Sequence, residues 1–201
     1  MKDWTGNKKS TFVCNGATNH SESKREERDY YATDPIAVRK LCEVEHFDHA
    51  IWECACGQGH LSAELERLGY EVYSSDIVDR GYPRTFVYDF LSPSSGNKLP
   101  FDIVTNPPYK YALQFVEHAI DILQDGCKVA MFLKLTFLES KSRRQLFEKH
   151  PPKTVWVFSE RVHCAKNGDF EKYGRRGVSA VAYAWFIWEV GYSGETVVKW
   201  I

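Results

Sequence analysis

Apolar positions along this chain fall into two alternating rhythms. Short, nearly continuous apolar runs occur at Ala50–Glu53, Glu71–Ser75, Thr85–Tyr88, Phe101–Thr105, Cys127–Leu133, Thr154–Phe158 and Ala180–Val190. Each is bounded by Gly, Pro, Asp or Ser, the punctuation of strands. Between them, apolar residues return at helical spacing. Ile36, Val38, Leu41 and Val44 predict a helix to about Phe47, opened by Asp34-Pro35. Leu61, Leu65 and Leu68 predict a second, closed by Gly69. Phe115, Ala119, Ile120 and Leu123 share the stripe of a third, and 140–150 forms a fourth, stopped by Pro151-Pro152. Strand and helix alternate, so the expected fold is α/β: one mostly parallel, seven-stranded sheet with helices on both faces. Residues 1–29 are polar and predict a flexible arm; 30–201 form the domain.

The length of 201 residues suits one packed domain. No apolar run approaches the ~20 residues that cross a bilayer. The first ten residues lack the apolar core of a signal peptide, so a cytoplasmic protein is expected. The six cysteines, at 14, 42, 54, 56, 127 and 164, have no metal-knuckle spacing and predict buried thiols with no metal. The formal net charge is -1, which excludes a general polyanion binder. Basic residues nevertheless gather between Lys134 and Arg176. Arg161, Lys166, Lys172, Arg175 and Arg176 lie in the aperiodic stretch 160–178, which predicts a nucleic-acid contact.

Three strand ends carry candidate chemistry. Glu53 through Gly59 forms a turn whose Gly57 and Gly59 let backbone approach a ligand. Position 62 is Ser, so the full dinucleotide fingerprint is missing and an NAD-type oxidoreductase is disfavoured. Asp76 ends the second strand, where a carboxylate can accept from a ribose diol; Ile77 can lie against an adenine. Asp89 can accept from the adenine amino group. Asn106-Pro107-Pro108-Tyr109 ends the fourth strand. An aromatic amine is a poor nucleophile because its lone pair is delocalised. The Asn106 oxygen and the Pro107 carbonyl can accept its two hydrogens and favour the pyramidal form, on a backbone that proline fixes. Tyr109 offers a plane on which a base can stack.

The chain resembles the class I S-adenosylmethionine-dependent methyltransferases of the N6-adenine DNA group. Asn106-Pro107-Pro108-Tyr109 matches that group's Asn/Asp-Pro-Pro-Tyr catalytic motif in full. Tyr30-Tyr31-Ala32-Thr33-Asp34-Pro35 resembles its upstream cofactor element, and Glu53-x-Ala55-Cys56-Gly57-x-Gly59 its glycine motif. Asp76-Ile77 and Asp89-Phe90 fall at its ribose- and adenine-contacting positions. The resemblance implies a single-domain Rossmann-like fold and S-adenosylmethionine as cofactor. Tyr31, Thr33, Glu53, Ala55, Gly57, Gly59, Asp76, Ile77, Asp89, Phe90 and Asn106 would contact it. Asn106, Pro107, Pro108 and Tyr109 would be catalytic, with Phe137 and Leu138 lining the pocket.

The implied reaction methylates the N6 amine of an adenine flipped out of DNA. The same motif occurs in relatives that modify RNA bases or protein glutamine, and a non-catalytic binding subunit is a further alternative. Large members of that group carry a separate target-recognition domain, whereas these residues offer only the 160–178 loop and the arm. Sequence specificity is therefore expected to be slight, or to come from a homodimer or specificity subunit. Small enzymes of this look occur in phages and prophages, which suggests a phage or restriction-modification setting.

Overall fold

The computed structural model describes residues 31–166, 168, 170 and 181–201. It begins with a short strand, β1 (Tyr31–Thr33), and a helix, α1 (Ile36–Val44). Next come β2 (Ala50–Glu53), α2 (His60–Arg67), β3 (Val72–Asp76), β4 (Phe86–Val87) and β5 (Phe101–Thr105). After a 3-10 turn follow α3 (Ala112–Ile122), β6 (Lys128–Lys134), a second 3-10 turn, α4 (Lys141–Lys149) and β7 (Thr154–Val157). The chain closes with β8 (Cys164–Lys166), β9 (Tyr183–Glu189) and β10 (Val197–Trp200).

One eight-stranded sheet has the order β10-β7-β9-β6-β5-β2-β3-β4. Every pair in it is parallel except those that β9 makes with β6 and β7. The seven expected strands are all present. The eighth, β10, adds at the edge; its four residues are exposed, so no burial pattern announces it. Strands β1 and β8 pair outside this sheet, Thr33 opposite Cys164. They are too short to carry a periodicity.

The two faces of the sheet hold separate cores. Against one, α1 and α2 press Ala37, Val38, Leu41, Leu61 and Leu65 onto Ile51, Val104, Ala130 and Trp185. Against the other, α3 and α4 press Phe115, Val116, Ala119 and Leu146 onto Ile103, Val129, Met131 and Phe186. The start of α1 is fixed as its sequence suggests: Asp34 Oδ1 accepts from the Ile36 amide at 3.0 Å. At α2, Glu64 is clamped by Arg39 (2.9 Å) and Arg67 (2.7 Å). These partners hold its carboxyl down at about 2, the Arg67 bond first.

The chain runs from β2 outward to β3 and β4, then returns to β5 on the other side of β2. That reversal opens a crevice at the carboxyl ends of β2 and β5, where open α/β sheets place their ligands. The turn after β2 and the Asn106–Tyr109 run therefore stand side by side.

Candidate active site

Asn106 is held by the β1 strand. Its Nδ2 donates to the Tyr31 carbonyl at 3.1 Å and to Thr33 Oγ1 at 2.8 Å. A carbonyl only accepts, so these bonds fix which end of the amide is nitrogen. The other end, Oδ1, is buried and has no hydrogen-bond partner. A buried acceptor left unpaired costs about 1–3 kcal/mol. Such atoms in a folded protein point to a missing donor.

Pro107 is buried beside it and Pro108 is exposed in extended conformation. Tyr109 opens the 3-10 turn, and its hydroxyl donates to the Tyr183 hydroxyl at 3.0 Å. Burial and these neighbours push the Tyr109 hydroxyl well above its ordinary value, so it stays protonated. The Lys134 ammonium sits over the ring, 4.5 Å from its centroid. A base stacking on Tyr109 would take the opposite face or displace that ammonium. Tyr31 and Tyr183 flank the ring at 6.2 and 6.4 Å. The Cys164 thiol completes the cluster beside Tyr109, Tyr183 and Thr33, and burial raises it to about 11. Tyr183, Lys134 and Cys164 escape the sequence reading. They come from three strands distant in sequence, β9, β6 and β8, so no local pattern signals them.

The glycine turn is built as expected. Gly57 and Gly59 have φ of 57° and 77°, a region that favours glycine. Asp76 ties this turn to β3: its Oδ2 accepts from the Gly57 amide at 2.8 Å and its Oδ1 from Val78 at 2.9 Å. Each oxygen keeps a lone pair for a further donor. Ile77, next in the chain, is 64% exposed, an apolar plane open to solvent at the strand end. Asp89 is exposed too, one oxygen accepting from the Leu91 amide at 3.0 Å. Ala55 lies in the turn, half-buried.

Two of the expected cofactor-contact residues have buried side chains with protein partners. The Phe90 ring is buried in the core between Trp52, Phe115 and His118, at 5.2, 4.8 and 5.0 Å. It supports β2 and α3. Glu53 is 1% exposed. Its two oxygens accept from Thr105 Oγ1 at 3.1 Å and Ser62 Oγ at 3.2 Å. It binds the start of the glycine turn to β5 and α2. Of the suggested pocket residues, Phe137 is core, packed on Phe147 and Phe186, while Leu138 is exposed.

Tyr82 lies over the turn. A Cβ built on Gly59 would meet its ring at 2.1 Å. Gly59→Ala should therefore combine left-handed strain with a steric clash and lower stability by about 2–5 kcal/mol. Gly126 has a similar φ of 88° with nothing within 4 Å of its Cβ position. Gly126→Ala should cost only the backbone term, about 1 kcal/mol. Urea unfolding of the two variants measures the difference; equal losses would remove Tyr82 from the turn.

Of the expected nucleic-acid contacts, Arg161 is exposed. It lines a cavity of about 200 Å³ with Phe158, Glu160, Val162 and Tyr183, next to the Tyr109 cluster. Lys166 ends β8 and pairs with Tyr31 across the ribbon. Lys172, Arg175 and Arg176 lie outside the described residues, as does the 1–29 arm. Among the described residues no helix is long and apolar enough to cross a membrane.

No family model matches the chain, and no curated protein does. Solved structures match its fold. One is named as a class I S-adenosylmethionine-dependent methyltransferase from Listeria monocytogenes, 13% identical, TM-score 0.53, over 83% of this chain and 63% of that one. Another is named as the modification subunit of a type I restriction enzyme from Vibrio vulnificus, 15% identical, TM-score 0.56, over 85% of this chain and 46% of that one. A third is named as a predicted O-methyltransferase from Agrobacterium tumefaciens, 12% identical, TM-score 0.59, over 83% and 85%. The chain thus spans less than two thirds of the first two. The fold is that of the Rossmann-like class I methyltransferases.

Proposed function

We propose that this protein transfers a methyl group from S-adenosylmethionine to an exocyclic amine, the N6 of adenine in DNA. The observation that carries the reading is Asn106 Oδ1, a buried acceptor with no partner, aimed by two bonds on its own amide nitrogen. A neutral amino group is a donor that would fill it, and the Pro107 carbonyl beside it can take the amine's second hydrogen. A sulfonium, an ether oxygen or an ionised hydroxyl would bring it no hydrogen.

The residues around the crevice fit the cofactor. Left-handed Gly57 and Gly59 turn the chain sharply at the strand end, Ile77 offers an exposed apolar face, and Asp76 and Asp89 keep acceptor capacity for hydroxyl and amino groups. When bound, S-adenosylmethionine supplies an activated methyl on a sulfonium. The chain's own work is positioning. Asn106 Oδ1 and the Pro107 carbonyl accept the two amine hydrogens and hold the nitrogen's lone pair out of conjugation. The Pro107-Pro108 backbone keeps both acceptors in place without reorganisation. Tyr109, anchored through Tyr183, stacks against the base. Arg161 and the basic residues that follow it would hold phosphates.

Incubating the protein with methyl-labelled S-adenosylmethionine and separate DNA, RNA and protein acceptors tests the reading. Mass spectrometry of nucleosides released from the DNA should show labelled N6-methyladenine. Label found only in RNA, or only on glutamine, would move the acceptor and keep the chemistry. Label in none of them would overturn the proposal.

A further inference from the structure

A second cluster of chemistry lies at the opposite end of the sheet. His49 directly precedes β2, Asp102 is the second residue of β5 and Cys127 directly precedes β6. These strands are neighbours in the order β6-β5-β2, so their amino ends bring the three side chains together. One ligand atom from each, an imidazole nitrogen, a carboxylate oxygen and a thiol sulfur, lie within 4.8 Å of one another. The residues are far apart in sequence, so no spacing signals them.

We infer that His49, Asp102 and Cys127 form a binding site for a borderline divalent cation of the zinc class. The donor set argues for that class: imidazole, carboxylate and thiolate together suit Zn²⁺, whereas Mg²⁺ and Ca²⁺ take oxygen ligands. Three protein ligands leave the fourth tetrahedral position to water. Metal–ligand distances of about 2.0–2.3 Å require the cluster to contract. The His49 side chain has the freedom to do so, because it is 37% exposed, and the same exposure is the route of entry.

Asp102 is the fixed member. It is 1% exposed, and its oxygens accept from the backbone amides of His49 at 3.2 Å and Lys128 at 2.6 Å. These bonds orient the carboxylate as outer-shell partners orient a metal ligand, and each oxygen retains a lone pair. His49 Nδ1 already lies 3.4 Å from Asp102 Oδ1. Asp102 already ties the starts of β2, β5 and β6 through these bonds; a cation would add the His49 imidazole and the Cys127 thiolate to the same tie. Bound cation would stabilise the fold from the end remote from Asn106, so its effect on stability is separable from methyl transfer.

The test uses the full chain, stripped with a chelator and kept reduced, titrated with Co²⁺ as a spectroscopic stand-in for Zn²⁺. The expected result is one equivalent bound, tetrahedral visible bands, a thiolate-to-cobalt charge-transfer band, and displacement by Zn²⁺. Cys127→Ser should abolish the charge-transfer band, while Cys54→Ala should leave it. His49→Ala, at a partly exposed position, should weaken Zn²⁺ at least tenfold. Added Zn²⁺ should raise the Tm of the wild type and not of His49→Ala. No charge-transfer band, a band that survives Cys127→Ser, or equal Zn²⁺ affinity in His49→Ala would each overturn the site.

Discussion

Asn106→Ala is expected to lower single-turnover methyl transfer by about a hundredfold or more while cofactor affinity stays within about threefold. The wild-type Oδ1 is buried and unpartnered, so its bond is made only when the substrate amine arrives to donate to it. It strengthens as the amine pyramidalises, and its loss therefore acts on the transition state. A hundredfold corresponds to about 2.7 kcal/mol, the scale of one preorganised hydrogen bond in a dry site. Asn106→Asp should keep more activity than Asn106→Ala, because an acceptor remains. It should still fall short of wild type, since a carboxylate cannot donate to the Tyr31 carbonyl and Thr33 that aim the amide. Thr33→Val, which removes one of those two anchors, should cost about tenfold or less. Single-turnover rates on the acceptor found by the labelling experiment decide the order. Near-wild-type turnover in Asn106→Ala would remove the residue from the chemistry.

What made this site legible was its backbone. Phe101–Thr105 is a strand as its run of apolar residues demands, and the residue that follows a strand stands at the sheet's carboxyl edge. The same logic placed Gly57, Asp76 and Ile77, and an exposed Ile77 fits a ligand plane better than a core. The aim of the Asn106 amide was not legible. It depends on the carbonyl of Tyr31, and β1 exists only because it pairs with β8 far along the chain. A three-residue strand has no periodicity, and a backbone acceptor leaves no mark in the residue types.

Phe90 and Glu53 illustrate the opposite limit. A motif fixes where the chain passes the ligand, but not which way a side chain turns. Phe90 turns into the core with Trp52 and Phe115, where its ring buries apolar surface. Glu53 turns under the glycine turn because Ser62 and Thr105 wait there. Ser62, which breaks the dinucleotide fingerprint, is thereby explained: it accepts from Ser74 at 2.8 Å and donates to Glu53. The sheet's eighth strand failed to announce itself for a simpler reason. Val197, Val198 and Trp200 are exposed, and an apolar run that is not buried has no partner pattern to display.

The buried Glu53 has a consequence for stability against pH. Burial raises its carboxyl from the ordinary 4.5 to about 8, with the Thr105 and Ser62 bonds pulling only partly the other way. Between those values the folded chain keeps a proton that the unfolded chain has lost. The contribution of this group to stability is therefore complete below about pH 4.5 and is lost as the pH rises toward 8. At about 1.36 kcal/mol per unit, the loss across that window is about 2–5 kcal/mol. Glu53→Gln stays neutral throughout and can still bond both hydroxyls, so its share of the fall should vanish. The measurement is urea unfolding at a series of pH values for both proteins. The variant should match or fall slightly below wild type at pH 5 and exceed it at pH 8. Parallel profiles would mean that Glu53 is ionised in the folded state, stabilised by the Ser62 and Thr105 hydroxyls against its burial.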